Sequence, residues 1–452
     1  MPKQILMAST SGVRGIIGRG LDPILAGQYA AAFASMLRKG RVVVGRDSRP
    51  SGDLFCMAVK ASLAAVGLDV IDIGIVPTPT VEIAVKELKA SGGICITASH
   101  NPSQWNALKF FSDRGEFITA AQFKRLSKIL EKGLFAFKPN DQLGQISSQT
   151  GWIERHIKKS IRAKGVNRNA IGRARFTVVV DAINGAGSQA LPLLLERLGV
   201  KVIRLNCKGD GDFVHEPEPV AKNLTQLSRA TRKHHADLGM ACDPDADRLA
   251  LVDEAGRPIG EELTLTITVQ QVLTVTKGPV VVNLSTSNAT TDVAAAMGAR
   301  VYRSKVGEAN VVEMMRKKRA VIGGEGNGGV IYPSFHAGRD SLIAAVLVLS
   351  ALAREKLTLS KLAATIPSYY NIKTKASLPG DFPKRLRRFE REVRAMVGKC
   401  RIDRRDGCRF DFDEGWIQLR RSNTEPIYRL IVETKSRKMT EALAKNVASF
   451  FD

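Results

Sequence analysis

Three carboxylates stand at alternate positions in the segment Asp243-Pro244-Asp245-Ala246-Asp247-Arg248. Alternate side chains on an extended loop can point the same way, so three anionic oxygens could converge on a hard divalent cation. An acidic turn and the opening of an EF-hand are the other readings of such a run. The EF-hand fails, because Arg248 stands where its sixth position requires glycine. The spacing favours a metal-binding loop.

Three further segments concentrate polar chemistry. Thr97-Ala98-Ser99-His100-Asn101-Pro102 offers Ser99 as a nucleophile, beside His100 and ten residues before Lys109. A lone serine where a strand ends is more often a turn or helix-cap residue. No G-x-S-x-G elbow is present, which argues against the usual esterase or protease arrangement. Arg420-Arg421-Ser422-Asn423-Thr424-Glu425-Pro426 joins a guanidinium to hydroxyls, an amide and turn N–H groups, the parts of a phosphate cradle. Its plainer reading is a polar turn before a strand at 427–432. Gly323-Gly324-Glu325-Gly326-Asn327-Gly328-Gly329 could hold a sugar close to the backbone, with Glu325 accepting hydroxyl protons, or could simply join two strands. No Gly-Lys-Ser/Thr follows, so it is not a Walker loop.

These segments need a frame, and the hydrophobic pattern supplies one three times over. Strand and helix signals alternate from residue 40: strand 41–45, helix 51–66, strand 69–73, a helix after Pro79, strand 92–97. The order returns as strand 176–181, helix 187–198, strand 200–205, helix 223–235 and strand 237–242. It returns again as strand 279–284, helix 288–297, strand 299–303, helix 308–318 and strand 320–323. Apolar strands alternating with helices indicate parallel sheets covered on both faces. The third strand of each unit leads straight into the serine, aspartate or glycine-rich segment. Ligands of open α/β sheets bind beyond the carboxyl ends of strands, so three equivalent edges could face one cleft. From about residue 371 the chain becomes arginine-rich and reads as α+β. The fold expected is α/β. It has three consecutive α/β domains with mixed, mainly parallel sheets at 1–150, 151–255 and 256–370, and a smaller C-terminal α+β domain at 371–452, around one central cleft.

Composition limits the alternatives. A chain of 452 residues is too long for one core and fits three or four domains. No apolar run approaches the roughly 20 residues that span a bilayer, and the start lacks the layout of a signal peptide, so a cytosolic protein is expected. The six cysteines form no C-x-x-C pair, which argues for reduced thiols over zinc or a disulfide framework. The net charge of +24 admits nucleic acid, a membrane surface or an anionic small substrate as partner. Basic residues are dense at 154–175 and 383–409, but aromatics make up only 6 % of the chain and do not interleave with them. A solvated basic face is the reading preferred over nucleic-acid binding.

Taken together, the segments resemble the α-D-phosphohexomutase superfamily, which comprises phosphoglucomutase, phosphomannomutase and phosphoglucosamine mutase. The match runs through TSGVRG at 10–15, VGRDSRPSG at 44–52, TASHNP, DAINGAG at 181–187, HEPEP at 215–219, DPDADR, GEGNGG and RRSNTEP, in the family's order. The resemblance implies a phosphoserine at Ser99. It implies Mg²⁺ held by Asp243, Asp245 and Asp247 with a phosphoryl oxygen on Ser99 as fourth ligand. It places Arg14 and Lys109 beside the moving phosphoryl group, with Lys109 and His100 as candidates for moving the hydroxyl proton. Arg248, Glu325 and Asn327 would meet the sugar, and Arg420, Ser422, Asn423 and Thr424 the distal phosphate. The activity implied is interconversion of hexose 6- and 1-phosphates through a sugar 1,6-bisphosphate, which also serves as activator. A small-molecule hexose phosphate is thus the expected partner, with neither membrane nor nucleic acid; oligomeric state has no signal. Better-known branches read G-E-x-S-G-H in the sugar loop, where this chain has Asn327 and Gly329 for the serine and histidine. His336 is close enough in sequence to be a substitute. The Asn-Gly-Gly loop places glucosamine phosphate ahead of mannose and glucose phosphates as the expected substrate. A phosphoserine-type phosphatase would need the same serine and metal but no distal phosphate grip.

Overall fold

The computed structural model describes residues 5–377, 380–421 and 427–448. Its first sheet runs β1 (Leu6–Ser9), β2 (Gly12–Ile16), β3 (Arg41–Arg46), β4 (Asp69–Ile75), β5 (Gly92–Ile96), β6 (Trp105–Ser112) and β7 (Ile146–Ser148), ordered β1-β2-β6-β5-β3-β4-β7. The second holds β8 (Thr177–Asp181), β9 (Lys201–Leu205), β10 (Leu238–Cys242) and β11 (Leu249–Val252), ordered β11-β10-β8-β9. The third repeats that plan with β12 (Val280–Asn283), β13 (Val301–Ser304), β14 (Ile322–Glu325) and β15 (Gly329–Ile331), ordered β13-β12-β14-β15. The last is antiparallel throughout: β16 (Tyr370–Ser377), β17 (Arg401–Asp403), β18 (Cys408–Phe412), β19 (Gly415–Arg421) and β20 (Ile427–Thr434), ordered β16-β20-β19-β18-β17. Three α/β units and a C-terminal α+β unit are therefore present, as the sequence pattern implied.

The strands expected from apolar runs are found, because a parallel strand buried on both faces leaves few polar positions to blur the pattern. Val42, Val43 and Val44 of β3 and Val280, Val281 and Val282 of β12 are all fully buried. One segment differs from expectation. No strand is expected between 97 and 111, yet Trp105 starts β6, which lies antiparallel to both β2 and β5. Asn106 and Lys109 interrupt its apolar pattern, although both are buried. Each α/β sheet gains an antiparallel strand in this way, β6, β11 and β15, directly after the functional segment. The chain turns back at the carboxyl end of the sheet, and the turn is where the polar side chains gather.

One apolar cluster joins the first three sheets, running from Val43 and Ile71 through Leu194 and Met240 to Leu265 and Leu349. The helix Ser341–Glu355 lies inside it and is buried from Ser341 to Leu352. The C-terminal unit has its own core around Phe389, Phe410, Leu419 and Val432. On its helix Phe382–Val397, Phe389 and Val393 face that core, while Arg387, Arg388 and Arg391 are exposed. All six cysteines are free thiols. Among the described residues no helix is long and apolar enough to cross a membrane.

Candidate active site

Ser99 sits just past the end of β5 with a φ of 49°, in the left-handed region that non-glycine residues seldom adopt. The neighbourhood enforces this conformation. Thr97 Oγ1 accepts from the Ser99 N–H at 2.9 Å and donates to Asp47 Oδ2 at 2.6 Å. Arg49 is 1 % exposed. It donates to the carbonyls of Ser99 (2.7 Å), Asn101 (2.6 Å), Pro102 (2.8 Å) and Trp105 (3.2 Å), and its Nε donates to Asp47 at 3.0 Å. A loop without ladder partners thus has its carbonyls satisfied by one buried guanidinium. Ser99 Oγ is left to donate to Asp243 Oδ2 at 2.7 Å.

Asp243, Asp245 and Asp247 are fully buried past β10, and each offers a carboxylate oxygen within 4.8 Å of the others. Asp243 Oδ1 accepts the backbone N–H groups of Asp247 and Arg248, both at 3.1 Å, which curls the loop. Lys109 Nζ reaches Asp245 Oδ2 at 2.6 Å and Asp247 Oδ2 at 3.2 Å. Asp245 Oδ1 and Asp247 Oδ1 are buried without a hydrogen-bond partner. Unpaired buried anionic oxygens are costly, and three such carboxylates form an all-oxygen donor set that suits Mg²⁺. The residues present fit that metal.

Burial, then Asp247 and Asp245, push the Asp243 carboxyl well above its usual range. Burial also opposes ionisation of Asp245, but Lys109 outweighs it and holds that carboxyl low. Lys109 is likewise held charged: burial works against its ammonium, and the attraction of Asp245 and Asp247 wins. His100 goes the other way. Burial, with Arg248 and Arg14 nearby, drives its imidazole well below the ordinary histidine range. Arg248 Nη2 donates to His100 Nδ1 at 3.0 Å, and that nitrogen lies 3.4 Å from Ser99 Oγ. Next to the serine there is therefore a neutral imidazole and a fixed positive ammonium.

Arg14, Lys109, Arg248, Glu325, Asn327 and Arg420 all line one cleft with Ser99 and His100. Arg14 Nη1 donates to Asn101 Oδ1 at 2.9 Å, and burial, seconded by Arg248, pushes its guanidinium down to about 10. Glu325 ends β14, and Gly329, paired with it, begins β15, so the glycine-rich segment is a tight turn between antiparallel strands. Both Glu325 oxygens are held by protein: Oε1 by Asn283 Nδ2 (2.9 Å) and the Gly307 N–H (2.8 Å), Oε2 by Arg339 Nη1 (2.8 Å). Asn327 Oδ1 accepts the Gly329 N–H at 3.2 Å. Arg420 is 4 % exposed. Its Nε donates to Asp406 at 3.2 Å, and its Nη2 has no partner among the described residues. Ser422, Asn423 and Thr424 lie outside the described residues.

The histidine expectation needs correcting. His336 does not line the cleft; it is buried between Asp340, 3.0 Å from its Nε2, and Glu82, 3.3 Å from its Nδ1. The tight turn at β15 and the helix Ser341–Glu355 carry it away from Glu325, and nearness in sequence is no guide across such a turn. Sequence reasoning also passed over Arg339, Arg429 and Lys373, all on the cleft wall. The register Arg420↔Arg429 between β19 and β20 could have flagged Arg429, as an arginine opposite one already suspected.

Comparison with known proteins agrees with this architecture. Models of phosphoglucomutase/phosphomannomutase alpha/beta/alpha domains I, II and III match residues 6–137, 154–256 and 261–370, and the model of the C-terminal domain matches 378–450. A phosphoglucomutase/phosphomannomutase of Thermococcus kodakarensis is 37 % identical over 438 residues, covering 95 % of this chain and 94 % of that protein. A protein of Methanopyrus kandleri named probable phosphoglucosamine mutase is 36 % identical, covering 96 % of this chain and 95 % of that one. A crystal structure of a phosphoglucomutase/phosphomannomutase family protein from Burkholderia thailandensis superposes with a TM-score of 0.85 at 26 % identity, covering 98 % and 97 % of the two chains.

Proposed function

Because this chain belongs to the phosphoglucomutase/phosphomannomutase family of phosphohexomutases, we propose that it interconverts hexose 6- and 1-phosphates through a phosphoserine at Ser99. The observation that carries the reading is the pairing of Ser99 Oγ with Asp243 at 2.7 Å, inside a buried carboxylate triad that still has unpartnered oxygens. On the far wall, Arg420 keeps one buried nitrogen free of described partners.

The two sugar oxygens are too far apart for one transfer, and a covalent phosphoenzyme divides the task. In the first half, the P–O bond to Ser99 breaks as the free sugar hydroxyl bonds to phosphorus, and its proton leaves to a protein base. The product is a sugar 1,6-bisphosphate. After reorientation the other phosphorus bonds to Ser99 Oγ as its P–O bond to the sugar breaks; the serine hydroxyl gives up its proton and the released sugar oxygen takes one up. Mg²⁺, which Asp243, Asp245 and Asp247 would hold, supplies positive charge for the phosphoryl oxygens when bound. Arg14 and Lys109 add fixed charge where the transition state spreads its own. Lys109 and His100 are the candidates for moving the hydroxyl proton. Arg248, Glu325 and Asn327 meet the sugar. Arg420, with Ser422, Asn423 and Thr424, grips the phosphate that is not reacting.

Glucosamine phosphate is the substrate we favour, on the Asn327-Gly328-Gly329 turn and on relatives named for that activity; a broad phosphomannomutase/phosphoglucomutase is the alternative. A cytoplasmic location, activation by the bisphosphate and units bounded near 150, 255 and 370 belong to the same proposal. The test is a side-by-side assay of glucosamine, mannose and glucose phosphates, with phosphopeptide mass spectrometry after exposure to sugar bisphosphate. Label on Ser99 and loss of turnover in Ser99→Ala are expected. Phosphate retained on the alanine variant would show that the nucleophile is another residue.

A further inference from the structure

We infer that Arg339 is a positioning residue of this mutase, clamping the sugar-loop carboxylate Glu325 to the metal-loop carboxylate Asp247, and that position 329 is glycine to make room for it. The inference rests on the function proposed above.

The guanidinium of Arg339 is surrounded by carboxylates. Nη1 lies 2.8 Å from Glu325 Oε2, Nη2 lies 2.7 Å from Asp247 Oδ2, and Nε lies 3.1 Å from Glu308 Oε2. Glu325 and Glu308 belong to the third α/β unit and Asp247 to the second, so one planar group spans two units at the wall of the cleft. Two carboxylates accept from the two ends of the fork, with a third at ion-pair distance from Nε, an arrangement that calls for arginine; a lysine could serve only part of the set. Burial alone would push Glu325 up, but Arg339 outweighs it and holds the carboxyl below its ordinary range. An ionised Glu325, fixed in place, can accept only from donors presented in one direction. That is how a sugar hydroxyl would be oriented.

The space comes from Gly329. A Cβ there would lie 2.3 Å from Arg339 Cδ, closer than atoms can approach. Gly329 is not among the residues with positive φ, so its backbone would accept alanine, and the severe conflict is with the arginine side chain, with Asn327 Oδ1 a milder second at 3.0 Å. The Arg339 backbone has anchors besides Glu308, which its guanidinium also meets. Its N–H donates to Glu308 Oε1 at 2.9 Å, and the next two residues bond to the Val330 carbonyl (3.0 Å) and the Ala246 carbonyl (2.7 Å from Ser341 Oγ). Changes to the side chain should therefore leave the loop in place.

The experiment compares wild type, Gly329→Ala, Arg339→Lys, Arg339→Gln and the Gly329→Ala/Arg339→Gln double variant. Steady-state kinetics are run with bisphosphate saturating, and binding of glucosamine 6-phosphate and glucose 6-phosphate to metal-free enzyme is measured by calorimetry. Arg339→Gln should lose about 100-fold in kcat/KM, mostly in kcat. Arg339→Lys should recover no more than about tenfold of that. Gly329→Ala should match Arg339→Gln within about threefold, and the double variant should be no worse than Arg339→Gln, because both changes remove one clamp. Sugar-phosphate affinity should carry only the smaller share of the loss, and the same share in Gly329→Ala as in Arg339→Gln. Wild-type kinetics in Gly329→Ala, losses that multiply in the double variant, or full activity with lysine would each overturn the clamp. If Arg339→Gln fails to fold, Gly329→Ala and Arg339→Lys still decide. A wild-type protein that interconverts none of the sugars overturns the function instead, and the calorimetry then tests the clamp by itself.

Discussion

The walls of the cleft are joined in two different ways. The first three sheets share one apolar cluster, with the helix Ser341–Glu355 at its centre. The C-terminal unit has a separate core and meets the others through polar contacts. Ser285 Oγ donates to Gln418 at 2.7 Å, the Asn288 N–H to Glu433 at 2.8 Å and the Val306 N–H to Asp406 at 2.9 Å; Lys373 pairs with Glu261 and Glu262. Apolar packing is dense and holds atoms to fractions of an ångström, whereas polar interfaces between units leave room for relative motion. The fused walls carry Ser99, the aspartates and Lys109, where the proposed reaction would make and break bonds. The polar seam carries Arg420, which in the proposed reaction would hold either phosphate as the sugar turns round. The two kinds of seam predict rigidity around Ser99 and the aspartates and adjustability around Arg420.

The largest effects should separate the two roles. Asp245→Asn removes an anionic oxygen from the fused wall and should cut kcat by about 10²–10³-fold, with chelation of Mg²⁺ from wild type at least as severe. If excess Mg²⁺ makes no difference and turnover stays near normal, the metal assignment fails. Arg420→Ala across the seam should lose about 100-fold in kcat/KM, and Arg420→Lys should regain only part of it. The alanine variant should also need more added bisphosphate to stay phosphorylated, since the intermediate escapes before it reorients. Unchanged kinetics would leave the seam a purely structural contact.

Stability gives the next test. Leu349→Ala, in the shared cluster, should cost about 2–5 kcal/mol, and Ser285→Ala, at the seam, about 1 kcal/mol. Calorimetry should show the first change in the larger transition and the second in one belonging to the C-terminal unit; movement of a single common transition by both would erase the distinction between the seams.

Much of this frame was legible in the sequence, for a physical reason. Strands buried on both faces, such as β3 and β12, are nearly unbroken valine runs, and the functional segments directly follow such strands. The carboxylate triad could be read from spacing alone, because its members lie within five residues of one another. Arg49 and Arg339 were not legible. Their partners lie 50 residues away at Ser99 and 92 away at Asp247, and a lone arginine carries no mark of what it will meet. β6 was hidden by the polar residues that make it useful, since Lys109 enters the cleft from what would otherwise be an apolar strand.

The smallest effect is a pH dependence confined to the seam. Burial pushes the Glu262 carboxyl up to about 7, with Lys373 pulling the other way. The folded protein thus keeps a proton that the unfolded chain gives up near its ordinary value, so this group's contribution falls as pH rises from about 4.5 to 7. Lys373, held up by those same glutamates, adds stability that is lost only above its ordinary range, outside this window. Glu262→Gln should flatten the fall in Tm between pH 5 and 7 by a few degrees. An identical slope in wild type and variant would show that the seam does not titrate.

The buried Arg49 has a bearing on time. A phosphoserine is a store that must last from one encounter with sugar to the next, and its enemy is water. The loop holding Ser99 is tied at four carbonyls by Arg49, which itself packs on the ring of Phe213, 4.9 Å from the guanidinium. A side chain outside the cleft thus fixes how steadily Ser99, once phosphorylated as proposed, would present its phosphate to the next sugar.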